Sequence, residues 1–140
     1  LGKKNKGLLP IISNVPKDHH SLLQLYLDGP KDKVFHIFSL REKYTDKIKI
    51  GRSIDQNKFL NNKSLYQIKI AQKNALIKEF KKKQIPFREF KIETENEEVL
   101  GELFSYFLLE TVMIAKLLEI NPFNQPAVEQ VKIYTKELLN

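Results

Sequence analysis

The sequence predicts an α/β fold in which a sheet is layered with helices. Short apolar runs rich in β-forming residues alternate with longer segments whose apolar residues recur at helical spacing. The 140 residues suffice for one domain and are too few for two domains of ordinary size, and the 41% hydrophobic content can form a core. We therefore expect residues 1–140 to form a single domain.

The first third of the chain predicts one helix followed by one or two strands. The helix begins near Pro16 with Asp18 as its N-cap, and the Asp28-Gly29-Pro30 sequence ends it. KVFHIF, residues 33–38, is typical of a buried strand, and KIKIG, residues 47–51, indicates a second strand at a sheet edge. Residues 52–64, rich in Asn and Ser, predict a loop with one helical turn.

The middle of the chain predicts a helix and a further strand. From Ser64 to about Gln84, one helical face collects the apolar residues Leu65, Ile68, Ala71, Ala75, Leu76 and Phe80. Pro86 ends this pattern, and PFREFKIE, residues 86–93, predicts a strand.

Residues 96–120 predict the most apolar helix of the chain. It has about the length of a membrane span, but a bilayer would penalise its charged residues, Glu102, Glu110, Lys116 and Glu119. Because the segment is apolar on nearly every side, we expect it to be buried, most simply at a subunit interface.

A final helix starts within the stretch NPFNQPAVEQVK, residues 121–132, directly after a short polar loop, with Gln125 at the mouth of the helix and Lys132 two turns in. Helical geometry places Ala127, Val131, Tyr134 and Leu138 on one face, which we expect to be the core face. Gln125 and Lys132 are seven residues apart and lie on one line of the opposite face. Periodicity alone would make Lys132 a solvated surface lysine, although Val128 and Leu139 lie beside that line.

The composition restricts the kinds of partner and site. The net charge of +7 suits an anionic partner, but the basic runs at residues 3–6 and 78–83 lack any nucleic-acid recognition motif, so we expect no nucleic-acid partner. The absence of Cys excludes thiolate metal sites and favours an intracellular chain. His19 and His20 diverge by about 100° on a helix and make a poor metal site, and His36 fits a sheet. We expect no metal and no cofactor.

The string FNQPAVEQVK, residues 123–132, resembles the C-terminal signature of the glucose-6-phosphate isomerase family. The matching residues are Phe123, Asn124, Gln125, Val128, Glu129 and Lys132, whereas Ala127 stands where the family has Gly. Residues 7–35 resemble a bacterial-type segment of the same family, with His20 at the active-site histidine position and His19 where Gln is usual. LGKK, at the start of the chain, resembles the end of the family motif Glu-Ser-x-Gly-Lys.

The resemblance implies an aldose-ketose isomerase that interconverts glucose 6-phosphate and fructose 6-phosphate through ring opening and an enediol. It implies that His20 and Lys132 transfer protons in catalysis and that Gln125 binds the sugar-phosphate substrate. His20 would lie in the first turn of a helix, whose dipole disfavours imidazolium. The family's catalytic Glu would precede Leu1, so we expect the chain alone to be inactive.

The resemblance also implies an architecture and an assembly. The fold would be a three-layer sheet with helices on both faces, part of the second sugar-isomerase (SIS-type) domain, plus C-terminal helices. The protein would be a cytoplasmic homodimer that shares the histidine across subunits, with no membrane partner. One alternative is a non-catalytic sugar-phosphate-binding module, which would not need both His20 and Lys132. Another is a basic nucleic-acid-binding domain, which only the charge supports.

Overall fold

The computed structural model describes residues 2–41, 47–51 and 58–140 of the chain. They are organised in two compact units, one formed by Leu1–Ile11 with Asn96–Asn140 and the other by Ile12–Glu95. The predicted α/β class is confirmed, because helices accompany a parallel sheet of two strands in the described residues. The three-layer sheet and the single domain over residues 1–140 stay predictions.

The unit Ile12–Glu95 begins with two short helices, α1 (Lys17–Ser21) and α2 (Leu23–Asp28). The prediction of one continuous helix is wrong, because the chain breaks its helical pattern at Leu22. The prediction of Asp18 as N-cap is also wrong: Pro16 occupies that position, without a side-chain cap. The Asp18 carboxylate instead accepts a hydrogen bond from the backbone N–H of Asn14 at 2.6 Å.

Two parallel strands, β1 (Phe35–Leu40) and β2 (Phe87–Ile92), form the sheet, with Phe35 paired to Phe87. Both strands were predicted. The prediction of a further strand at residues 47–51 is wrong, because Lys49 forms only an isolated bridge with Ser64. The helical turn predicted within residues 52–64 is present as a 3₁₀ helix, Lys58–Leu60, while residues 52–57 lie outside the described residues.

The helix α3 (Leu65–Lys82) connects the strands and packs on them through Phe80. The Phe80 ring lies 4.7 Å from that of Phe35 and 6.0 Å from that of Phe87. The predicted face of this helix is only partly buried, because Ala71 and Ala75 are exposed. Alanine occurs on either side of a helix, so its position in a periodic pattern is weak evidence of burial.

Both ends of α3 are fixed by local hydrogen bonds. At its start, Ser64 and Gln67 form a capping box in which each side chain accepts from the other's backbone N–H. At its end, Gln84 has a φ of 56° and the N–H of Ile85 donates to the carbonyl of Phe80, a Schellman ending. These bonds explain why the helix stops before Pro86.

The unit containing Asn96–Asn140 is helical, with α4 (Glu97–Leu117) and α5 (Pro126–Leu139). Asn96 caps α4 by accepting from the N–H of Val99 at 2.9 Å. A second Schellman ending closes α4, where Glu119 has a φ of 54° and the N–H of Ile120 donates to Ala115. Within the described residues, no helix is long and apolar enough to cross a membrane.

The apolar faces of α4 and α5 are largely exposed. On α4, Phe104, Leu108 and Met113 are each more than 60% exposed. On α5 the predicted core face is wrong, because Ala127, Val131, Tyr134 and Leu138 are all exposed. Periodicity identifies an apolar stripe on a helix but does not say which chain covers it. Exposed apolar side chains of this kind, where they form a contiguous patch, mark contact surfaces.

Candidate active site on helix α5

The start of α5 is built by Gln125 and the proline that follows it. Gln125 is the N-cap, with φ −134° and ψ 69°, and its carbonyl accepts from the N–H groups of Val128 and Glu129 at 3.0 and 3.1 Å. Pro126 occupies the first helical position, where its lack of an N–H costs nothing. Ala127 is therefore helical, and its methyl group in place of the Gly of the signature needs no special backbone conformation.

Lys132 lies two turns into α5 and is paired with a carboxylate of the same signature. Its Nζ donates to Glu129 Oε1 at 2.6 Å, across one helical turn, and the two side chains are 62% and 63% exposed. An exposed pair of this kind contributes little to stability, typically about 0–1 kcal/mol. Its more useful consequence is that the Lys132 ammonium is held near Glu129 while remaining open to a ligand.

The loop between α4 and α5 is bound by two lysines from the start of the chain. The Lys3 ammonium donates to the backbone carbonyls of Asn121 and Asn124, and to Asn124 Oδ1 at 2.5 Å. The Lys4 ammonium donates to the carbonyl of Glu119 at 3.1 Å. The sequence identified residues 3–6 as a basic run and LGKK as the end of a motif, but it did not predict these contacts, which join segments more than 110 positions apart.

His20 lies in α1, in the unit Ile12–Glu95, and its side chain is exposed. The helix has only five residues, and His20 is the fourth of them. Its neighbour His19 is half-buried, with an Nε2 that finds no hydrogen-bond partner in the described part of the chain.

The structure places Gln125 at the N-cap of α5 and Lys132 within that helix, whereas His20 belongs to the other compact unit. Gln125 precedes the first helical residue and has non-helical dihedral angles, so only Lys132 lies within α5, and the expectation that both residues share one line of the helix stays a prediction. Within residues 2–41, 47–51 and 58–140, no group of three or more His, Asp or Glu side chains is placed to hold a metal ion. The α5 arrangement offers an amide and an ammonium, which suit a polar, hydroxyl-bearing or anionic ligand.

Comparison with known proteins bears on what that ligand is. No protein-family model matches the chain. It is 37% identical over 135 residues to "Glucose-6-phosphate isomerase" of Mycoplasmopsis pulmonis, covering 94% of this chain and 31% of that protein. It is 32% identical over 139 residues to "Probable glucose-6-phosphate isomerase" of Methanococcus maripaludis, covering 99% of this chain and 31% of that protein.

A third relative, "Glucose-6-phosphate isomerase" of Mycoplasma mycoides subsp. mycoides SC, is 36% identical and covers 99% of this chain and 34% of that protein. Among solved structures, a hypothetical protein of Thermus thermophilus is similar with a TM-score of 0.71 at 25% identity, covering 89% of this chain and 30% of that one. The chain thus spans about a third of the length of these relatives. The similarity confirms the resemblance that the motifs predicted.

Proposed function

We propose that this chain, which is similar to glucose-6-phosphate isomerases over nearly its whole length, is part of an enzyme of that activity. The reaction is the interconversion of glucose 6-phosphate and fructose 6-phosphate. The observation that carries the proposal is the identity of 32–37% over 94–99% of the chain to proteins of that name. The exposed Gln125 amide at the start of α5 and the exposed Lys132 ammonium within the helix support it, because they suit a sugar phosphate.

Ring opening of the sugar needs one proton delivered to the ring oxygen and another removed from a hydroxyl group. We assign these transfers to His20 and Lys132, each a kind of group that typically contributes about 10²- to 10⁴-fold to a rate. The Lys132 ammonium has three N–H donors and Glu129 uses one, which leaves two for the substrate. Gln125 would hydrogen-bond a substrate hydroxyl.

The proton transfer between C1 and C2 then passes through an enediol and needs a base. The resemblance assigns this base to the Glu of a motif whose last residues match LGKK. The chain spans about a third of its relatives' length, and we propose that residues 1–140 alone do not catalyse the isomerisation. Turnover by the purified 140-residue chain would contradict this part of the proposal.

We further propose the architecture and assembly that the resemblance implies. The chain would belong to one domain of the sugar-isomerase (SIS) type, with a three-layer sheet, in a cytoplasmic homodimer that shares His20 across subunits. The exposed apolar side chains Phe104, Leu108 and Met113 of α4 support an interface, because a surface of this kind is seldom left in water.

The test is made on the full-length parent protein, by measuring conversion of fructose 6-phosphate to glucose 6-phosphate. We expect Lys132→Ala and His20→Ala each to lower kcat by about 100-fold or more. Lys136→Ala is the matched control, since Lys136 is an exposed lysine one turn further along α5, and it should change kcat less than twofold. His19→Ala tests the histidine register and should be much milder than His20→Ala.

The outcomes separate the proposed function from its rivals. An active parent in which both substitutions act as expected supports the isomerase and its two proton-transfer groups. An inactive parent that still binds fructose 6-phosphate would instead favour a non-catalytic sugar-phosphate-binding module. Salt-dependent binding to duplex DNA, without any effect of the sugar phosphate, would favour the nucleic-acid-binding alternative.

A further inference from the structure

The start of the chain is a tight turn that presents two ammonium groups. The N–H of Lys3 donates to the carbonyl of Lys6 at 2.9 Å, and the N–H of Lys6 donates back to Lys3 at 2.8 Å. The central residues Lys4 and Asn5 have φ values of 51° and 58°, as in the mirror-image turns that close two-residue hairpins. The reciprocal bonds fix the backbone from which the Lys3 side chain extends.

The Lys3 ammonium is fully used by the loop that leads into α5. Its three acceptors are the backbone carbonyls of Asn121 and Asn124 and the side-chain Oδ1 of Asn124, which match the three donors of an ammonium. Hydrogen bonds from a charged donor are roughly twice as strong as those between neutral groups. Lys3 is also half-buried, unlike Lys132 and most other lysines of the chain.

The same loop is held at two further points. Lys4 donates to the carbonyl of Glu119, just beyond the end of α4, where the helix dipole favours a cation. Asn121 Oδ1 accepts from the N–H of Phe123 at 2.8 Å. Between the Schellman ending of α4 and the N-cap of α5, the loop is therefore hydrogen-bonded to Lys4 at Glu119 and to Lys3 at Asn121 and Asn124.

Asn124 is the last residue before Gln125, the N-cap from which α5 begins. Fixing the Asn124 carbonyl fixes the peptide that joins it to Gln125, because the peptide group is planar. The direction of α5 and the position of the Gln125 side chain then depend on that peptide. A displacement of about 1 Å at such a point can lower an enzyme's rate by about 100-fold.

We infer that Lys3 is a positioning residue, which holds the Asn121–Asn124 segment so that Gln125 and Lys132 stand in place for the substrate. It acts through Asn124 and makes no contact with the substrate itself. The inference rests on the proposed function of Gln125 and Lys132, while the structural part, that Lys3 orders the loop, does not. The two parts are tested by separate measurements.

The experiment compares Lys3→Met with Lys6→Met in the full-length parent. Lys6 is exposed in the same turn, and among the described residues its side chain has no hydrogen bond, so its loss removes equal charge without touching the loop. Hydrogen exchange read by mass spectrometry reports the order of residues 119–130, independently of activity. The kinetics of fructose 6-phosphate conversion report the effect on the site.

We expect Lys3→Met to speed exchange in residues 119–130 at least tenfold and to lower kcat/KM by about 10- to 100-fold, with Lys6→Met within twofold of the parent in both. Lys3→Arg, which keeps a charged donor, should restore at least half of the lost protection. A thermal unfolding scan checks that each variant is folded, and if Lys3→Met is not, Lys3→Gln replaces it with the same expected results.

Unchanged exchange in Lys3→Met would overturn the inference, because Lys3 would then not order the loop. Faster exchange with unchanged kcat/KM, in a parent that loses activity on Lys132→Ala, would also overturn it, since the loop order would not matter to the site. If Lys132→Ala leaves the parent fully active, the proposed function of α5 fails instead. The exchange measurement then still decides whether Lys3 orders the loop.

Discussion

Replacing Phe80 with alanine tests the packing of the unit Ile12–Glu95. The ring is 1% exposed and lies against Phe35 of β1 at 4.7 Å and Phe87 of β2 at 6.0 Å, so it ties α3 to both strands. The Phe35 ring also lies 5.2 Å from that of Tyr26 in α2, which extends the cluster to a fourth element. Loss of Phe80 therefore loosens contacts to helix and sheet together.

The expected cost follows from the burial. Removing a fully buried phenylalanine to alanine typically costs about 3–5 kcal/mol, including the cavity left behind. That figure already includes the loss of the aromatic pairs, which is about 0.5–1.5 kcal/mol for each pair. Because about 1.4 kcal/mol corresponds to a factor of ten, amides protected by this unit should exchange roughly 100- to 4,000-fold faster.

Hydrogen exchange of peptides from β1, α3 and β2 measures this effect without assuming two-state unfolding of a longer protein. Phe59→Ala is the matched control, because the same side chain is removed from a position that is 71% exposed, and it should cost less than about 0.5 kcal/mol. If Phe80→Ala changes exchange no more than Phe59→Ala, the assignment of Phe80 as the centre of this packing is wrong.

Three other changes follow from single contacts. The hydrogen bond from Lys73, at 2.7 Å, and then the charges of Lys73 and nearby lysines lower the pKa of Glu89 from its usual 4.5. This pair therefore stabilises the fold fully above about pH 4.5, and the stabilisation is lost as the pH falls through the lowered pKa of Glu89. In Lys73→Met, acid unfolding should not show this pH-dependent loss of stability. Ser64→Ala removes the capping box of α3 and should cost about 0.5–2 kcal/mol, seen as faster exchange in the first turn of α3 and not in α4. Leu108→Asp places a charge on the exposed face of α4 and should convert the proposed homodimer to monomer in sedimentation, whereas Glu97→Gln should not; a dimer that persists would contradict an interface on this face.

The sequence could predict the elements whose ends are set by neighbouring residues. Ser64 marks the start of α3, Pro86 marks the break after it, and the alternation of apolar residues identifies β1 and β2. Asp18 shows the limit of this reasoning, since a carboxylate near a helix start can bind the preceding loop as readily as cap the helix. The isolated bridge of Lys49 shows the same limit for strands, because an alternating run becomes a strand only when a partner strand lies beside it.

The candidate site likewise combines features that the sequence could predict with features that it could not. The start of the final helix is a local feature, so the sequence could predict it, and α5 begins at Pro126, directly after Gln125, and contains Lys132. The contacts of Lys3 with Asn121 and Asn124 join residues 118 and 121 positions apart, and no local pattern carries that information.

By itself the sequence determined the two strands of the sheet, the three longer helices and the resemblance of its motifs to an isomerase family. Only the tertiary structure decided that the apolar stripe of α5 is exposed, that His20 lies in a helix of only five residues, and that Lys3 binds the loop before Gln125. The physical reason is the range of the interactions. Caps and periodicity act over a few residues, whereas burial and long-range hydrogen bonds depend on segments that only the folded chain brings together.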